Sequence, residues 1–162
     1  MDVDGLIEER QGSTIREIVE SHGWEHFRKL EKGIIEEIGG QDHLVIAPGG
    51  GAVIDGANVK VLKKNGLLIY LKGRRETLFA RIFEDSSSHS RRPTLTGKGV
   101  LEEFGEMMAF RSPYYEKTAD VEIDTSNLDV EGVVERILSL LSCKGDRTSA
   151  SSVDPPVAPT SG

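Results

Sequence analysis

The 162 residues contain a single cysteine, Cys143. One thiol excludes an intramolecular disulfide framework and a cysteine-based zinc site. No apolar run approaches the ~18 residues that a membrane span requires, and no signal-peptide pattern is found. Excess positive charge is missing as well, since the net charge is −7. A general nucleic-acid or anionic-membrane surface needs a basic face, so neither partner is expected. A cytoplasmic location is the default. What is present is an ordinary globular composition, 37% hydrophobic and 29% charged, in a chain long enough for one packed core.

Helical and strand patterns alternate along residues 1–141. Ser13 or Thr14 caps a helix running to about His22, with Gly23 as its stop. Trp24, Phe27, Leu30, Ile34 and Ile38 keep helical spacing up to Gly39-Gly40. His43–Ala47 reads as a short strand entering Pro48-Gly49-Gly50-Gly51, and Gly66–Leu71 as a buried strand. Helices are expected at about 56–65, 76–84 and 100–111, with a polar loop from Ser86 between the last two. Pro113 is expected to end the 100–111 helix and leave Arg111 in its last turn. A strand at Val121–Asp124 and an amphipathic helix from Val130 to Leu141 close the domain. Residues 142–162 are Ser-, Pro- and Gly-rich and read as a disordered tail. This alternation predicts an α/β fold in three layers, a parallel sheet with helices on both faces.

Several polar residues stand at positions that suit a site. Gly49-Gly50-Gly51 follows a strand directly, where ligands bind in open α/β sheets. Glycines there let a ligand approach backbone N–H groups. Arg28 follows Phe27 on a helix, Arg92 precedes Pro93 in the polar loop, and Arg111 stands in Phe-Arg-Ser-Pro-Tyr-Tyr. Asp2 and Asp4 form an Asp-x-Asp pair before a charged helix. Singly, each has an ordinary reading: a tight turn, a solvated arginine, a dipole-completing charge, a helix cap. Together they make a kit for phosphorylating a small hydroxy acid. Two guanidiniums clamp a carboxylate, an aspartate receives hydroxyls and a proton, and a loop arginine meets a phosphoryl group.

Taken in order, DVDGLIEERQGSTIREIVESHGWEHFRKLE, VIAPGGGAV, LLIYL, RRPTL, FRSPYYEKTAD and EIDT resemble the shikimate kinase family from Asp2 to about Leu141. The resemblance implies transfer of the γ-phosphoryl of ATP to the 3-hydroxyl of shikimate, with Mg²⁺, in chorismate and aromatic amino-acid biosynthesis. It implies that Asp4 holds the shikimate hydroxyls and serves as base. Asp2 would stand near the magnesium water shell. Arg28 and Arg111 would bind the carboxylate, and Gly50 and Gly51 would offer backbone to the substrate. Arg92 would reach the phosphates from the lid, and Arg81 would lie near the adenine.

Two departures accompany the resemblance. No G-x-x-x-x-G-K-[ST] phosphate loop occurs in the sequence, and the strand before Asp-x-Asp is cut almost to nothing. The expected fold is therefore of the P-loop kinase type with its first, central strand missing and its second truncated. In the family order 2-3-1-4-5, that leaves strands 3 and 4 facing a gap, each buried unpaired group costing ~1–3 kcal/mol. A truncated or internally started form of a longer protein would account for this. Two alternatives accompany the kinase reading: a non-catalytic relative that binds shikimate or a partner, and a kinase for another small hydroxy acid. The family implies a monomer, with pairing through an open sheet edge as the alternative.

Overall fold

Asp2 takes up extended backbone (φ −95°, ψ 119°), and its carboxylate accepts from the Asp4 amide at 3.2 Å. That bond caps α1, Val3–Gln11. The computed structural model describes residues 1–84 and 100–145, which fall in two compact units, Met1–Ser126 and Asn127–Gly162.

In the first unit, α2 spans Ile15–Ile38. A reciprocal capping box starts it: the Thr14 hydroxyl accepts from the Glu17 amide, and the Glu17 carboxylate accepts from the Thr14 amide at 2.8 Å. Gly23 (φ 81°, ψ 167°) kinks α2 into two helices, so the expected stop and restart are both seen. The Gly39 amide closes α2 by donating to Ile35 O at 2.8 Å. After a 3₁₀ turn at Ala52–Ile54 comes α3, Gly56–Lys63, capped by Asp55. Val3 and Ile7 of α1 pack with Ile15, Ile18, Phe27, Ile34, Ile35 and Ile38 of α2, together with Ala52 and Leu62. This is the main core, and each fully buried side chain of this size contributes roughly 1.5–3 kcal/mol.

β1 (Ile69–Lys72) and β2 (Val121–Asp124) pair in parallel, Ile69 opposite Val121 and Lys72 opposite Asp124. A parallel pair needs a crossover. Here the crossover holds α4, Arg75–Glu84, and α5, Val100–Thr118. Phe104 of α5 and Ile123 of β2 are buried. In the second unit, α6 spans Val130–Gly145, so it enters the stretch expected to be tail. Neither proline nor glycine interrupts residues 142–144, and the Ser142 hydroxyl donates back to Leu138 O at 3.0 Å. No helix among the described residues is long and apolar enough to cross a membrane.

Three expectations change. The layered parallel sheet is, among the described residues, a two-stranded sheet and one isolated parallel bridge between Asp2 and Ala47. The predicted His43–Ala47 strand is thus reduced to that bridge. Among the described residues its backbone partner is Met1–Val3, through Ala47 N–H to Met1 O at 2.8 Å and Val3 N–H to Ala47 O at 3.0 Å. His43, at φ 61°, also leaves the extended region. Finally, α5 passes through Pro113 to Thr118, which puts Arg111 in mid-helix. Pro113 removes one intrahelical bond. The turns around it are held by Ser112 Oγ donating to Met108 O at 2.7 Å, Thr118 Oγ1 donating to Tyr114 O at 2.7 Å, and the Phe110–Tyr114 ring contact.

Candidate active site

Residues from three helices converge on Gly49-Gly50-Gly51. Gly49 has φ 79°, a backbone setting that side chains rarely adopt. A Cβ there would lie 3.4 Å from Asp4 Oδ1 and 3.6 Å from Glu31 Oε1. At Gly50 it would lie 3.1 Å from Arg111 Nη1, and at Gly51 2.5 Å from Arg28 Cζ. Two carboxylates and two guanidiniums therefore face one glycine turn. The sequence-predicted set Asp4, Arg28, Gly50, Gly51 and Arg111 is brought together.

The helices aim these groups. Asp4 sits in the first turn of α1, which the bridge to Ala47 ties to the chain entering the glycines. Arg28 and Glu31 lie one turn apart on the second half of α2. Arg28 Nη1 donates to both Glu31 oxygens, at 2.7 and 2.8 Å. Its Cζ lies 5.6 Å from the Trp24 ring and 5.1 Å from the Phe27 ring, close enough for cation–π attraction. These contacts hold the guanidinium with Nη2 towards Gly51. Arg111 reaches Gly50 from α5, and Tyr115, one turn on, donates its hydroxyl to Gly50 O at 2.7 Å.

Glu31 was not singled out from the sequence. Its side chain is only 1% exposed. Burial pushes its carboxyl above the ordinary range. The Arg28 hydrogen bond and charge oppose that rise, the nearby Asp4 charge adds to it, and Arg111 lowers it. The signal was available: Glu31 stands where the helical spacing of Phe27 and Ile34 calls for an apolar residue. A charge there needs a partner, and Arg28 is three residues away. Tyr115 stood at the end of Phe-Arg-Ser-Pro-Tyr-Tyr without a role of its own.

Other expected site residues lie elsewhere. Asp2 caps α1 and bridges to Ala47. Arg81, on α4, donates to Thr125 Oγ1 at 2.8 Å and Thr125 O at 2.7 Å, at the carboxyl end of β2. Arg92 lies outside the described residues. Among the described residues no three His, Cys, Asp or Glu side chains gather as a metal site.

The shikimate kinase profile matches residues 1–142. A shikimate kinase of Syntrophus aciditrophicus (strain SB) is 38% identical over 145 residues, 85% of this chain and 74% of the relative. One from Caldanaerobacter subterraneus subsp. tengcongensis is 37% identical over 138 residues, 85% of this chain and 78% of the relative. Among solved structures, the Acinetobacter baumannii shikimate kinase in complex with shikimate superposes with a TM-score of 0.79 at 29% identity, covering 88% of this chain and 78% of that one. The chain belongs to the shikimate kinase family.

Proposed function

We infer that this chain is a shikimate kinase-type phosphotransferase whose described residues form the acceptor side of the site. The reaction is transfer of the γ-phosphoryl of ATP to the 3-hydroxyl of shikimate. The observation that carries the reading is the convergence of Arg28, Arg111, Asp4 and Glu31 on the glycine turn. In this reading Arg28 Nη2 and Arg111 hold the shikimate carboxylate between them. Asp4 accepts from the ring hydroxyls and takes the proton of the 3-hydroxyl. The Gly50 and Gly51 backbone lines the substrate. Glu31 keeps the Arg28 guanidinium in place. Phosphoryl transfer asks mostly for positioning and charge stabilisation, and these groups position the acceptor.

The described residues do not fit an ATP–Mg²⁺ site by themselves. Asp2 is committed to a helix cap, Arg81 to Thr125, and no metal-binding cluster forms among the described residues. The sequence has no G-x-x-x-x-G-K-[ST]. We propose that the phosphate loop and the strand before it are absent from these residues, and that Arg92 completes the phosphate side. Supporting this, no backbone hydrogen bond among the described residues joins the Asp2–Ala47 bridge to the β1–β2 pair. The same observation favours a second reading, a relative that binds shikimate without transferring phosphate.

ADP release by the purified chain with MgATP, with and without shikimate, separates the two. A shikimate-dependent signal that Arg111→Ala lowers by about 30- to 150-fold, as expected for loss of a charged hydrogen-bonding partner worth ~2–3 kcal/mol, establishes the kinase. Calorimetric binding of shikimate without ADP release establishes the second reading. Absence of both rejects the site assignment.

A further inference from the structure

Tyr115 makes the hydrogen bond through which α5 holds the Gly50 carbonyl. Its hydroxyl donates to Gly50 O at 2.7 Å, and its ring packs on Tyr70 of β1 with centroids 5.1 Å apart. A Cβ on Gly50 would lie 2.8 Å from that hydroxyl, so the turn and the phenol are in close contact. The carbonyl of Gly50 and the N–H of Gly51 belong to one planar peptide and point in opposite directions. Fixing the carbonyl towards Tyr115 therefore fixes the Gly51 N–H on the far side. Nothing in the side chains of residues 50 and 51 does this, because both are glycine. A peptide between two glycines turns over at little steric cost.

We propose that Tyr115 is a positioning residue. Its hydrogen bond locks the Gly50–Gly51 peptide in the one orientation that presents the Gly51 N–H to the substrate. The proposal rests on the shikimate-binding reading above and adds to it the group that sets the backbone donor. The hydroxyl also couples that donor to Arg111, four residues earlier on the same helix, so guanidinium and backbone donor move as one unit. Without the lock, a fraction of molecules carries the peptide turned over, and apparent affinity falls by that fraction.

Tyr115→Phe tests this in the full chain, since it keeps the ring against Tyr70 and removes only the hydroxyl. Tyr70→Phe is the control for losing a phenol hydroxyl from the same ring pair. Shikimate affinity is read by calorimetry, melting temperature by scanning, and the Gly51 amide by hydrogen exchange on ¹⁵N-labelled protein without ligand. The expected result is a Kd for shikimate raised about 3- to 10-fold in Tyr115→Phe. The melting temperature should hold within a few degrees, and Gly51 amide exchange should quicken. Tyr70→Phe should bind as the wild type does. Unchanged affinity in Tyr115→Phe overturns the proposal and leaves the substrate reading standing. Equal weakening in both variants means that loss of either hydroxyl has the same effect, so the Gly50 bond is not its source, and overturns it too. If the wild type itself fails to bind shikimate, the substrate reading falls. Gly51 amide exchange then still decides whether the lock exists.

Discussion

Glu31 is the least exposed charged side chain at the site, and its carboxyl is raised, first by burial and further by the Asp4 charge, against the pull of Arg28 and Arg111. The folded chain therefore holds a proton on Glu31 in a pH range where the unfolded chain has released it. Stability from this group is present below the unfolded carboxylate value, about 4.3. It is lost as pH rises from there through the raised value. Glu31→Gln removes this dependence while keeping the shape. Thermal melts of wild type and variant between about pH 4 and 7 should show the wild type losing ground as pH rises. A constant difference across that range would refute the burial argument. At this scale the sequence was legible wherever a residue type announced its partner. Asp4, Arg28 and Arg111 were found because paired guanidiniums and a carboxylate suggest an acceptor. Glu31 and Tyr115 were passed over because each acts on another site residue, and that is visible only once Arg28 and Gly50 are in place.

Local chemistry decided most element boundaries. Thr14 and Glu17 form a reciprocal box, and Gly23 and Gly39 break and end α2 as their positions imply. Glu17 is held below the ordinary carboxylate range, first by the Thr14 backbone and then by its hydroxyl. That stabilisation is full above the unfolded value and fades as pH falls through the lowered one. Thr14→Ala should cost about 1 kcal/mol near neutral pH, seen as a melting temperature lowered by a few degrees. The gap between variant and wild type should narrow in acid. A gap that widens in acid would mean the box is not the source. Where local chemistry misled, tertiary contacts had prevailed. Pro113 reads as a stop, yet α5 continues because the turn beyond it is anchored: Tyr115 to Gly50 O and Tyr70, and Lys63 Nζ to Thr118 O at 2.9 Å. His43–Ala47 has strand composition, but a strand also needs a partner of matching length, which composition cannot reveal.

At the scale of the first unit, stability and function lie in different places. The apolar cluster belongs to α1, α2, the Ala52 turn and Leu62 of α3. Among the described residues β1 and β2 form a two-stranded ladder, with Phe104 and Ile123 buried. A two-stranded pair is marginal without packing, so local opening there should need less free energy than opening the helical cluster. The site draws on both regions. Arg28 and Glu31 come from α2, whereas Arg111 and Tyr115 come from α5, with Tyr115 resting on Tyr70 of β1. A ligand held by Arg28 and Arg111 together therefore ties the weaker region to the stronger one. Native-state hydrogen exchange should find the amides of Ile34, Ile35 and Ile38 the slowest. The amides of Ile69–Lys72 and Val121–Asp124 should exchange faster without ligand. Shikimate at about a hundred times its Kd stabilises the binding-competent state by about 2.7 kcal/mol. Protection should therefore rise by up to about a hundredfold in the β1–β2 ladder, around Arg111 and at Ile35 alike, because local opening of the ladder and global unfolding both break the site. Equal unliganded protection in the ladder and at Ile34, Ile35 and Ile38 would mean that the unit opens only as a whole. Gains confined to α2 would remove Arg111 from the binding site and with it the two-guanidinium clamp.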